Sequence, residues 1–292
     1  MSKHKVLVAD PIADAGIEEL KSDPALDVDV RIGISENELL KDASLYEAII
    51  VRSQTKITED VINAAENLKI VGRAGVGVDN ISIPTATKNG VIVMNTPAGN
   101  TISTAEHAFA LMASLSRNIP QAHSTVVSGG WGRKDYKGVE LNSKTLAILG
   151  MGRIGTEFAK RAVAFGMKVT AYDPYLSPSR AKALQVELFE NVDDIVKGAD
   201  FITLHMPLTE ETKHIINKER LTMCKKDVRI INCARGGLID EIALLEAINE
   251  GEIAGAALDV YEESEPPPEG YPLLESKKIR SEEHTSELQS PL

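Results

Sequence analysis

The chain has little cysteine, no long apolar run and a deficit of positive charge. Its two cysteines, Cys224 and Cys233, are too few for a disulfide framework and stand at no metal-ligand spacing, which points to a reducing compartment, the cytosol by default. No uncharged apolar run reaches the roughly 18 residues that a membrane-spanning helix needs. The apolar stretch within Met1–Pro11 stops at Asp10, too early for a signal peptide, so a soluble chain with no membrane partner is expected. Lys and Arg number 32 against 43 Asp and Glu, a formal charge of -11, which repels a polyphosphate backbone and excludes nucleic acid as a partner. The remainder is ordinary for a globular protein. With 43% hydrophobic and 26% charged residues over 292 positions, there is enough apolar material for the cores of two domains.

Short β-rich apolar runs alternate with amphipathic stretches along the chain, the pattern of parallel strands buried under helices on both faces. In the first part, strands are expected at Lys5–Ala9, Leu26–Val30, Glu47–Val51, Lys69–Gly72 and Val91–Met94, with helices over Ala13–Ser22, Glu36–Ala43 and Glu59–Ala65. Ser35 with Glu38 has capping-box spacing, and Thr58 before Val61 marks a helix entry. A longer helix from Ile102 to about Ser116 follows the turn signal Asn95–Asn100, and Pro120, lacking an N–H, stops or restarts it. This stretch reads as a crossover between domains. Beyond the Gly129-Gly130-Trp131-Gly132 loop a second series runs through Thr145–Leu149, Lys168–Tyr172, Asp200–His205, Val228–Asn232 and Ala254–Val260. No tandem repeat occurs, which excludes solenoids and propellers. The expected fold class is α/β, with two doubly wound parallel-sheet domains.

Leu149-Gly150-Met151-Gly152-Arg153-Ile154-Gly155 lies directly after an expected strand and opens a helical pattern from Ile154 to Phe165. Glycines there permit a tight turn and close backbone approach, and the helix N-terminus offers free N–H groups and positive dipole to a pyrophosphate. The next strand ends in Asp173, at the separation from the glycines expected of a carboxylate that accepts ribose hydroxyls. An acid there repels a 2′-phosphate, so NAD is favoured over NADP. Two other readings of the same turn are a glycine turn that binds nothing and a methyltransferase loop for S-adenosylmethionine. The stretch Ile231-Asn-Cys-Ala-Arg235-Gly-Gly-Leu-Ile-Asp240-Glu241 bears on the choice. Arg235 stands where a strand ends, the place at which open α/β sheets bind ligands. A guanidinium grips a carboxylate with two prongs and polarises an adjacent carbonyl.

With these residues in view, the chain resembles the D-2-hydroxyacid dehydrogenase family, most closely its phosphoglycerate-oxidising branch. The matching stretches are Val51-Arg-Ser-Gln-Thr-Lys56, Val71-Gly-Arg-Ala-Gly-Val-Gly-Val-Asp-Asn80, Asn95–Asn100, Ala105-Glu-His107, the glycine motif, Ala171-Tyr-Asp-Pro174, His205-Met-Pro-Leu-Thr209, Asn232–Glu241 and Ala256-Ala-Leu-Asp-Val-Tyr261. They run in the family's order from about residue 5 to 279. The resemblance implies a flavodoxin-like substrate domain over about 1–98, a Rossmann NAD domain over about 99–279, an active site in the cleft between them, and a homodimer. It implies hydride transfer between NAD and the oxygen-bearing carbon of a 2-hydroxy or 2-oxo acid, with 3-phosphoglycerate as the substrate. A glyoxylate or hydroxypyruvate reductase, and an NAD-sensing protein without turnover, are the alternatives.

The same resemblance distributes roles. Arg235 holds the substrate's carboxylate and carbonyl, sharing the carboxylate with backbone N–H groups around Gly75, Val76 and Gly77. Gly150, Gly152, Arg153, Ile154 and Gly155 take the pyrophosphate and Asp173 the ribose. Met206, Cys233, Ala234 and Asp259, with Val76, face the nicotinamide end. Arg52, Ser53, Lys56 and Arg73 form a basic set suited to a substrate phosphate, and Arg133 after Trp131 reaches a neighbouring subunit's substrate. Catalysis needs a His general acid/base held by a Glu that raises its pKa. Glu265, next to Pro266, is the expected Glu, with Glu263 as the alternative.

The His of the family stands in a Pro-His-x-Gly sequence after a last short strand, followed by a helix returning to the first domain. Neither occurs in 280–292, a stretch that resembles an adapter translation and is expected to hold no strand. His284 lies near the right register between Glu283 and Thr285, a coincidence of position. The chain is therefore expected to bind NAD with little turnover. His107 is expected to be buried or interdomain, His205 to end a strand near the cofactor, and His123 to lie on a helix surface. No metal is expected, because no pair has ligand spacing.

Overall fold

Apolar runs of four or five residues between Gly-, Asn- and Asp-rich breaks become strands, and the amphipathic stretches between them become the helices that cover them. The computed structural model describes residues 3–263 and 266–281, and the chain divides into two units at Asn100/Thr101. The first unit runs β1 (His4–Val8), α1 (Asp14–Ser22), β2 (Leu26–Val30), α2 (Glu36–Asp42), β3 (Ala48–Val51), α3 (Glu59–Ala64), β4 (Ile70–Arg73), α4 (Ile83–Lys88) and β5 (Ile92–Asn95). All its strand pairs are parallel, in the order β2-β1-β3-β4-β5, which is the flavodoxin-like winding. Its helix entries follow the sequence signals. Ser35 and Glu38 close a full capping box on α2, and the Thr58 hydroxyl accepts the Val61 N–H at the start of α3.

The second unit begins with α5 (Thr101–Arg117) and α6 (Ile119–Val127). Asn118 between them takes a left-handed φ of 53°, and Pro120 sits in the first turn of α6, where its missing N–H costs nothing. There follow β6 (Thr145–Leu149), α7 (Arg153–Ala164), β7 (Lys168–Tyr172), α8 (Pro178–Ala183), β8 (Glu187–Phe189), α9 (Val192–Gly198), β9 (Phe201–Leu204), α10 (Lys218–Met223), β10 (Arg229–Asn232), α11 (Glu241–Glu250), β11 (Gly255–Leu258) and β12 (Ile279–Ser281). The sheet order is β12-β11-β10-β9-β6-β7-β8, the dinucleotide-binding winding with one added strand, and its direction reverses between β6 and β9.

Side-chain alternation along β6 shows how this sheet is covered. Leu146 and Ile148 join Met112, Phe158 and Ala159 of α5 and α7 in one core layer, while Ala147 and Leu149 join Ile195, Val196, Leu221 and Leu244 in the other. The period-2 alternation sends successive side chains to opposite faces, both dry.

Both outer strands of this sheet escape a reading of periodicity. β8 is three residues long, too short to show a period. β12 corrects the expectation of no strand after Ile279, since Arg280 and Ser281 pair in parallel with Ala257 and Leu258. A strand at this position needs only backbone partners. The Arg280 guanidinium is accommodated by donating to the Lys277 carbonyl at 2.7 Å and to the Asn118 side chain at 3.2 Å.

Candidate active site

The registers of the second sheet bring four residues to one line. Leu149 is opposite Leu204, Leu204 opposite Asn232, and Asn232 opposite Leu258. The next residue of each strand is therefore Gly150, His205, Cys233 and Asp259, at the carboxyl ends of neighbouring parallel strands and beside the reversal of strand order. Ligands of open α/β sheets bind at that place.

The glycine turn is built by close approach. Gly150 has a φ of +98°, and a Cβ there would stand 2.5 Å from the His205 carbonyl oxygen. A Cβ on Gly155 would stand 2.1 Å from the Gly150 carbonyl oxygen, so this glycine lets α7 pack onto the turn. Gly152 differs, because nothing lies within 4 Å of its Cβ position. It is the N-cap of α7 and supplies no side-chain cap, leaving that end to other acceptors. Arg153 is exposed and Ile154 half-buried at the helix entry. Asp173 follows β7, and its carboxylate accepts the Met151 N–H at 2.7 Å and the Tyr175 N–H at 2.8 Å. The acid is thus fixed beside the glycine turn.

Two groups on the line of strand ends, His205 and Cys233, are held neutral by burial. Burial pushes the His205 imidazole down to about 3, its Nε2 lies 3.0 Å from the Thr203 hydroxyl, and its ring packs 5.1 Å from Phe158. Burial, with Asp259 adding repulsion, lifts the Cys233 thiol well above its usual range. His107 of α5 reaches the buried Asp259 carboxylate at 3.1 Å through Nε2. His107, Cys233 and Asp259, far apart in sequence, offer atoms within 4.8 Å of one another. The helical spacing rule gave no sign of that grouping, because it arises from three separate elements. His123 is exposed on α6.

Arg235 follows β10 in a loop shaped by Asn232. The Asn232 side chain accepts the Ala234 N–H at 3.0 Å and donates to the Arg235 carbonyl at 2.8 Å, while the guanidinium donates to the Ala234 carbonyl at 2.7 Å. Gly236 then passes so close to the next strand's exit that a Cβ would meet the Tyr261 carbonyl oxygen at 1.8 Å. Met206 is half-buried. Glu263 is exposed, and Glu265 and His284 lie outside the described residues.

In the first unit the expected phosphate and carboxylate groups also sit at strand ends. Arg52 and Ser53 follow β3, and Arg73 closes β4 ahead of Gly75, Val76 and Gly77. The buried Asp10 carboxylate orders the first of these loops, accepting the Arg52 N–H at 2.7 Å, the Thr55 N–H at 3.1 Å and the Thr55 hydroxyl at 2.5 Å. Asn80 ties the two loops together by donating to the Arg52 and Thr55 carbonyls at 2.8 and 2.7 Å. The Asn95 side chain donates to the Val76 carbonyl at 2.6 Å. Ser53, Lys56 and, in the second unit, Arg133 are exposed.

Residues 109–286 match the family model described as D-isomer specific 2-hydroxyacid dehydrogenase, NAD binding domain. The chain belongs to this family. It is 50% identical over 280 residues to a D-3-phosphoglycerate dehydrogenase of Archaeoglobus fulgidus, covering 96% of this chain and 53% of that protein. It is 54% identical over 264 residues to the Bacillus subtilis protein of the same name, covering 90% and 49%. The chain thus spans about half the length of these curated relatives. Among solved structures, a glyoxylate reductase from Paecilomyes thermophila superposes with a TM-score of 0.90 at 30% identity, covering 99% of this chain and 90% of that one.

The cofactor of this D-2-hydroxyacid dehydrogenase domain is NAD, and the residues present fit it. Gly152 leaves open space at an uncapped helix start, while Gly150 and Gly155 shape the backbone that would approach the pyrophosphate. Asp173 presents a carboxylate, the partner of a ribose hydroxyl. The dehydrogenase domain carries no helix long and apolar enough to cross a membrane among its described residues.

Proposed function

We propose that the protein oxidises a D-2-hydroxy acid with NAD, and that 3-phosphoglycerate is the substrate. The observation that carries this is Arg235 in the loop after β10, its backbone carbonyl tied by Asn232, two strands from the glycine turn at the same end of the sheet. NAD, when bound, supplies the hydride acceptor. Gly150, Gly152, Arg153, Ile154 and Gly155 hold its pyrophosphate, Asp173 its ribose, and Met206, Cys233, Ala234 and Asp259 its nicotinamide end, with Val76 as a further contact. Arg235 grips the substrate carboxylate and carbonyl as a two-pronged cation, and the N–H groups at Gly75, Val76 and Gly77 share the carboxylate. Arg52, Ser53 and Arg73 take the phosphate. Asp173 disfavours a 2′-phosphate, so NAD binds better than NADP. Glu265, or Glu263, would hold the general acid/base imidazole. We read the protein as a cytoplasmic homodimer, and as serving serine synthesis, the last in line with the relatives' name.

No His stands in a Pro-His-x-Gly setting within these 292 residues. Assayed as such, the chain binds NAD and turns over slowly, since a missing general acid/base costs on the order of 10²–10⁴ in rate. Fluorescence titration tests the reading. NAD should bind, S-adenosylmethionine should not, and Gly152→Ala should weaken NAD by at least about tenfold, roughly 1.4 kcal/mol, with an unchanged melting temperature. S-adenosylmethionine binding without NAD binding overturns the proposal. So does a Gly152→Ala chain with undiminished NAD affinity.

A further inference from the structure

We propose that Glu241 is a positioning residue: its buried carboxylate clamps both ends of the segment from Glu262 to Tyr271 and so sets the backbone that borders Arg235. Glu241 is the first residue of α11 yet is only 6% exposed. A glutamate in a first helical turn ordinarily stays in water, where it complements the helix dipole without losing its hydration. Nor is it needed to cap the helix, because Asp240 already accepts the Ala243 N–H at 3.0 Å. A carboxylate withdrawn from water must be repaid by hydrogen bonds, and both of its oxygens are used outside its own helix. One oxygen accepts the Glu262 N–H at 2.9 Å, and the other accepts the Tyr271 hydroxyl.

These two partners lie nine positions apart in sequence and bracket Glu263, one of the two glutamates considered for holding the catalytic imidazole. The clamp reaches the substrate side through contacts already described. Tyr271 packs edge-on against Tyr261, with ring centroids 6.2 Å apart and planes at 84°. The Tyr261 carbonyl in turn occupies the space over Gly236, the residue after Arg235. His214 of the preceding loop fixes the Glu262 side chain at 2.8 Å. Burial, together with the nearby Glu262 and Glu263, raises the Glu241 pKa while its two hydrogen bonds lower it. A position that assembles three acids in one place is costly unless the geometry they enforce is used. The effect on substrate rests on the dehydrogenase reading; the clamp itself does not.

The test uses the full chain and the variants Glu241→Ala, Glu241→Gln and Tyr271→Phe. Amide hydrogen exchange of the Tyr261–Tyr271 region is followed beside that of α11 and β10, with binding of 3-phosphohydroxypyruvate, the 2-oxo form of 3-phosphoglycerate, to the NAD-loaded chain as a second readout. Glu241→Ala should speed exchange at Glu262 by about tenfold or more, the consequence of losing a charged acceptor, with β10 unchanged. Glu241→Gln, which keeps an acceptor oxygen, should restore most of that protection, and Tyr271→Phe should loosen the Tyr271 side alone. Substrate affinity should fall about tenfold in Glu241→Ala, with NAD affinity held within about twofold. Exchange that rises equally in α11 and β10, or a Gln variant no better than Ala, overturns the clamp. If Glu241→Ala does not fold, Tyr271→Phe decides, since unchanged exchange there is equally fatal to the clamp. If the unaltered chain does not bind 3-phosphohydroxypyruvate, the 3-phosphoglycerate assignment fails while the exchange pattern still decides the clamp.

Discussion

Isoleucines occur in the strands of both sheets, yet Ile148 and Ile202 in β6 and β9 are 0% exposed whereas Ile70 and Ile92, at the starts of β4 and of the edge strand β5, are 37% and 59% exposed. The registers explain the gradient in the first sheet. Val6, Ala48, Ile70 and Ile92 form one cross-strand row, and Val8, Ile50, Gly72 and Met94 the next, all on the face opposite Leu7, Ile49, Val71 and Val93. Cover on that face fades from β1 toward β5. In the second sheet both faces are dry, and the strand ends are fixed by packing and close backbone contacts at glycine, with Asn232 and Asp173 adding local polar ties. In the first sheet the loop after β3 is fixed by a polar device, the Asp10 carboxylate and its three donors. Rigid placement of functional groups can be reached by either route, and each fails under a different stress.

The largest effect should come from acid acting on the packed sheet. His205 sits at the end of β9, where burial holds its pKa at about 3 instead of 6.5. Between those values the unfolded chain takes up a proton that the folded chain refuses. The stability this contributes is therefore complete above pH 6.5 and is lost as the pH falls toward 3. Linkage over that interval sets an upper bound of about 5 kcal/mol, and the partial exposure of the residue brings the expected loss below it. Denaturant melts of the second unit at stepped pH should show this slope, and His205→Gln should flatten it. An equal slope in the variant would place the acid sensitivity elsewhere.

Next comes the polar device of the first unit. Asp10→Ala strands the Arg52 and Thr55 amides and the Thr55 hydroxyl, at a cost of about 3 kcal/mol. Hydrogen exchange should locate the damage at the ends of β1 and β3 and leave the second sheet protected. Damage shared by both units would break the contrast between them.

The glycine turn, Asp173 and Arg235 are legible from sequence because each stands in a local pattern: a strand, a break, a helix, then a strand ending in an acid. The same holds for the Ser35 and Thr58 caps and for the restart at Pro120. Asp10, Asn232, Glu241 and His107 are not legible in that way. Each acts on a partner brought close by strand register or helix packing, with 42 residues separating Asp10 from Arg52 and 152 separating His107 from Asp259. A single carboxylate after an apolar run looks the same whether it faces water or three buried donors. β8 and β12 were hidden for another reason, since a three-residue strand at a sheet edge carries no period to detect.

The smallest effect should fall on the exposed row of the first sheet, and it is the sharpest test of the contrast because the residue type is held constant. Truncating Ile148 to Ala removes a side chain with no exposure and leaves a cavity between the sheet and α7, which costs about 2–5 kcal/mol. The same truncation at Ile92 removes a side chain already 59% exposed, so little apolar area changes its environment and no closed cavity forms. Its expected cost is below about 0.5 kcal/mol, read from the denaturant midpoint with an unchanged slope. A cost at Ile92 comparable to that at Ile148 would mean that the β5 side of the sheet is covered in solution, and the difference drawn between the two sheets would no longer hold.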